Sequence, residues 1–118
     1  MEAGNRRSRM DGSGPDNNIS IDAASRLRAA LQRYIDVIAR SASETHRAED
    51  RPRYQQHLAA GALLFAAIER GDAEGFAKII TSEEHSYGWD YLSDECGRRA
   101  DSAFHEFHAC AKGSISLQ

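Results

Sequence analysis

What is scarce in this chain narrows its class before any motif is sought. Two cysteines are too few for the web of bridges that holds small secreted domains together. Two prolines leave most of the chain free to continue as helix. No apolar run reaches the ~18 residues that span a bilayer, and the greasiest stretch, His57 to Ile68, lies mid-chain. Arg6, Arg7 and Arg9 are not followed by an apolar segment, so no secretory signal is expected and the chain is assigned to the cytoplasm. Lysine is scarce too. Thirteen of the fifteen basic residues are arginine, whose forked guanidinium grips carboxylates and phosphates; GC-rich bacterial coding produces the same bias.

What remains is a moderately apolar, nearly neutral chain. Hydrophobic residues make up 41% of the 118 and the net charge is -3, which argues against both wholesale disorder and strong steering toward nucleic acid. The charge is unevenly placed. Residues 1–53 hold ten Arg against eight Asp or Glu, whereas residues 54–118 hold five Lys or Arg against ten Asp or Glu. A weakly basic first part is therefore joined to an acidic second part.

Periodicity supplies the fold class. Residues 1–18 are Gly, Asn, Ser, Arg and Asp with almost nothing to bury, and are expected to be a disordered arm. Ser20 then offers an N-cap, with Asp22 in the first turn. Ala24, Leu27, Leu31, Tyr34 and Ile38 follow at helical spacing as a core stripe, with Ile35 beside them. Arg26, Arg33 and Arg40 recur every seven residues on one flank, read as a solvated face. Residues 41–53 form a polar connection that has room for helical turns, closed by Asp50 as a cap and Pro52 in the next first turn.

The second helix, from about Arg53 to Arg70, contains the apolar stretch. Tyr54, Leu58, Gly61, Phe65 and Ile68 should be its buried line, and Gly61 should mark a neighbour's close approach. The stretch from His57 to Ile68 leaves no face for charge, so the helix there is expected to be enclosed by other helices. Gly71 in a left-handed conformation should end it, and Asp72 should cap a third helix bearing Phe76, Ile79 and Ile80. Trp89, in the aromatic stretch 81–92, is expected to fold inward as a lid. A fourth helix should start at Ser93 and line one face with Cys96, Ala100, Ala103, Phe104, Phe107, Cys110 and Ala111, with residues 113–118 frayed. The expectation is an all-α, single-domain bundle of about four helices with a central apolar helix, residues 1–18 being the arm and residues 19–118 the helical domain.

Chemistry is harder to find. Cys96 and Cys110 are about 21 Å apart along one helix, too far for a disulfide or a shared metal site. His105 and His108 lack the four-residue spacing of a zinc-protease helix. No Gly-rich phosphate cradle occurs. By elimination the chain reads as a small non-enzymatic interaction module of a bacterium or phage, an immunity protein, antitoxin or inhibitor that blocks a partner. Its expected contact surface is acidic and aromatic: Glu83, Glu84, Tyr87, Asp90, Tyr91, Asp94 and Glu95. Such a surface suits a partner protein with a basic face, such as a toxin or nuclease. No cofactor, metal or membrane partner is expected. The alternatives are a small metal-dependent enzyme using His85, His105 and His108, and a nucleic-acid-binding regulator acting through the Arg-rich first helix. The alanine-rich helix faces suit a homodimer as well as a closed monomer.

Overall fold

The computed structural model describes residues 18–84 and 94–115. Four α-helices are present among them: α1 (Ile21–Glu44), α2 (Arg51–Arg70), α3 (Ala73–Glu84) and α4 (Glu95–Ser114), with a 3-10 turn at Ala48–Asp50 running into α2. No strand forms among the described residues; Asn18 and Asp72 make one isolated antiparallel bridge. The expected arm, apart from Asn18, and the expected lid from residue 85 to Leu92 lie outside the described residues.

The helix ends follow local chemistry. Ser20 caps α1, its Oγ accepting from the Ala23 amide at 3.1 Å. Gly71, at φ 68°, ends α2 in the left-handed region. There the Asp72 amide donates to the Ala67 carbonyl and the Gly71 amide to the Ile68 carbonyl, which satisfies two orphan acceptors of the last turn. Asp72 Oδ1 then accepts from the Gly75 amide at 2.9 Å and caps α3. That amide and the Arg70 guanidinium hold the Asp72 carboxyl below its usual range. The Ile19 amide donates to the Gly71 carbonyl, which ties the start of the bundle to this turn.

Three ends differ from the sequence expectation. α1 continues one turn beyond Arg40, because Ser41 faces inward and donates to the buried Cys96 carbonyl at 3.2 Å. Asp50 precedes α2 but makes no cap bond; its carboxylate turns to Arg47 instead. The cap of α4 is Asp94 rather than Ser93, with Oδ1 accepting from the Cys96 amide at 2.8 Å. At the far end α4 runs through Gly113 to Ser114, and half-buried Ile115 packs against the core.

α1 packs against α4 on one side and α2 on the other, and α2 packs in turn against α3. Leu27, Leu31, Tyr34 and Ile38 of α1 are fully buried. Tyr34 stacks on Phe107 with ring centroids 5.5 Å apart, while Phe104 and Phe76 meet this pair edge-on. This aromatic node joins α1, α3 and α4 and dominates the apolar burial. α2 sits between α1 and α3 without being enclosed. Leu63 is 59% exposed, and Ala59 and Ala62 face outward. Its buried line is Tyr54, His57, Gly61, Leu64, Ala67 and Ile68; Leu58 and Phe65 are only half-buried. Gly61 meets the expected close approach: a Cβ built there would collide with the Ile35 side chain of α1.

Candidate functional site

Glu83 lies in the last turn of α3 and His57 in the second turn of α2. The α2–α3 turn folds the two helices side by side. That brings His57 Nδ1 to 2.6 Å from Glu83 Oε1, with His57 1% and Glu83 9% exposed. Glu83 is therefore not an exposed contact carboxylate: a charged group at the α2–α3 seam is tolerated because a histidine meets it there. Periodicity alone hides this pair, since His57 breaks no apolar pattern and Glu83 resembles its neighbour Glu84.

A second polar cluster closes the end of the bundle where the α1–α2 connection meets α4. Thr45 Oγ1 donates to Asp94 Oδ2 at 3.1 Å and accepts from the Arg47 amide. Arg47 Nε donates to buried Asp50 at 2.7 Å, and Arg51 donates to the Thr45 carbonyl at 3.0 Å. Arg99 reaches from α4 to Glu44 at 2.8 Å. The bonds from Arg99 and Arg40 hold the Glu44 carboxyl below its usual range. Tyr54 is buried beneath this network. Burial, with the negative charges of Asp50 and Asp94, pushes its phenol up to about 12. Burial also pushes the Cys96 thiol up, the opposite of the electropositive exposure a reactive cysteine needs.

Two residues of the expected contact surface are engaged within the fold by these contacts. Glu83 is consumed by His57, and half-buried Asp94 by Thr45 and its own helix. Glu95 is exposed in the first turn of α4. Tyr87, Asp90 and Tyr91 lie outside the described residues, and so does His85 of the metal reading. His105 is exposed and lies 3.5 Å from Asp101 on its own helix, while His108 packs at 5.7 Å against the Phe104 ring. No group of three or more His, Cys, Asp or Glu among the described residues is placed to hold a metal ion. No helix among them is long and apolar enough to cross a membrane.

One concave surface stands apart from both polar clusters. Ala30 and Val37 of α1 and Ala103 of α4 leave a groove of about 360 Å³ above Tyr34, rimmed by Arg33, Asp36 and Glu106. It exists because small side chains face each other where the neighbouring layers hold aromatic rings. No protein-family model matches the chain, and neither a curated protein nor a solved structure matches it.

Proposed function

We propose that the chain is a small non-enzymatic interaction module whose role is to bind and block a partner protein. One observation supports this reading above others. Among the described residues, the buried polar side chains Ser41, Thr45, His57 and Glu83 each bond another segment of the fold, and buried Asp50 bonds Arg47 within its own turn, so all of them serve closure. The buried polar groups are spent on holding the fold together, and the outer faces are left for recognition.

In this reading the chain is an immunity protein, antitoxin or inhibitor of a bacterial or phage cytoplasm. Its partner has a basic face, such as a toxin or nuclease. The acidic contact is now centred on Glu95 and the 84–91 segment rather than on Glu83 or Asp94. Co-expression with the product of the adjacent gene tests it. A complex on size exclusion that survives His105→Ala with His108→Ala, and is lost on Glu95→Lys with Asp90→Lys, is the expected result. A complex that needs the histidines and ignores the charge reversals would sink it.

A further inference from the structure

We propose that the α1–α4 groove docks an acidic amphipathic helix of a partner protein. This goes beyond the acidic contact surface, because it concerns another face and a partner element of opposite charge. The groove floor is apolar, formed by Ala30, Val37 and Ala103 over Tyr34. Arg26, Arg33 and Arg40 run along its α1 edge. Their side of α1 is fixed by its neighbours. The Cys110 thiol of α4 contacts the Arg26 carbonyl, Arg33 lines the groove, and Arg40 shares Glu44 with Arg99 of α4. All three side chains are exposed, and Arg26 and Arg33 pair with no carboxylate among the described residues.

The spacing selects the occupant. Seven residues of helix rise about 10.5 Å, the interval at which a helix laid alongside presents one flank. Each arginine immediately precedes an inward position, Leu27, Tyr34 or Ser41. In helix–helix seams that is where charged residues set partner choice. Large apolar side chains of the incoming helix fill the space left by Ala30 and Ala103, and its carboxylates meet Arg26 and Arg33. Two acidic residues of the rim, Asp36 beside Arg33 on α1 and Glu106 across the groove on α4, sharpen the choice. Asp36, already accepting from Gln32 at 2.9 Å, and exposed Glu106 would repel a phosphate backbone. Glu106, on the α4 side, tolerates a helix whose other flank is neutral or basic.

The test uses the full chain and a synthetic amphipathic peptide of about three heptads. The peptide has leucines on its apolar stripe and glutamate at every seventh position of one flank. A control peptide carries lysine at those positions. Backbone amide NMR should show the acidic peptide shifting residues 26–40 and 99–110, with the lysine peptide about tenfold weaker, equivalent to about 1.4 kcal/mol. Arg26→Glu with Arg33→Glu, both at exposed positions and checked by circular dichroism, should invert that order. Equal binding of the two peptides, no binding, or shifts mapping elsewhere would overturn the proposal. So would self-association of the free chain that the double variant abolishes, since the occupant would then be a second copy. Glu95→Lys should leave peptide binding unchanged, which separates this surface from the acidic one.

Discussion

Two histidine–carboxylate pairs in this bundle have the same chemistry and opposite settings. His57 and Glu83 meet at 2.6 Å between α2 and α3, almost wholly out of water. His105 and Asp101 sit 3.5 Å apart one turn along α4, with the His105 side chain 70% exposed. The first joins two helices; the second joins a helix to itself, where solvent competes for both groups. The comparison teaches that burial and topology, rather than residue type, decide whether such a pair matters to the fold.

The largest effect should come from breaking the inner pair. Glu83→Ala leaves His57 facing an apolar seam and should cost about 3 kcal/mol, read as a lowered midpoint in urea. Glu83→Gln, which keeps an acceptor near His57, should cost less than half of that. Equal losses would mean that the carboxylate itself, rather than any acceptor of that size, is what His57 requires. A smaller loss is expected from Gly61→Leu, one turn along the same inner side of α2. It drives a side chain into Ile35 and should cost about 2 kcal/mol, checked by the melting temperature.

The alkaline limb comes next. The Tyr54 phenol is held up at about 12 in the folded protein against an ordinary 10.0. The unfolded chain therefore loses this proton first, and stability should fall as pH rises from about 10 to about 12. Tyr54→Phe should flatten that limb in unfolding curves taken between those values. The smallest effect belongs to the outer pair: His105→Ala should shift stability by no more than about 0.5 kcal/mol. A loss there matching that of Glu83→Ala would erase the contrast.

The helical class, the caps at Ser20 and Asp72 and the left-handed Gly71 were legible because each depends on residues within one or two turns. The close approach at Gly61 was legible for a related reason: a glycine amid alanines and leucines needs a packing explanation. His57 was not. Its partner lies 26 residues away, and nothing in a period of 3.6 separates an inward histidine from an outward one. Glu83 and Glu84 look alike in sequence, and only the packing of α3 against α2 brings Glu83 to His57. The candidate groove was half legible. The seven-residue row of arginines was plain, but the small residues beside it gain meaning only when α4 brings Ala103 opposite Ala30.

Sequence alone determined that this chain would form helices, roughly where they would start and stop, and which stripe of α1 would be greasy. Those are local matters of propensity, capping and spacing. Tertiary structure decided that α1, flanked by α4 and α2, carries the deepest stripe, and that the apolar middle of α2 keeps one face in water. It also decided which acidic residues remain outside. Each of those outcomes depends on which helix faces which. That is set by shape and volume across the whole bundle, where an aromatic node outweighs a longer run of small side chains.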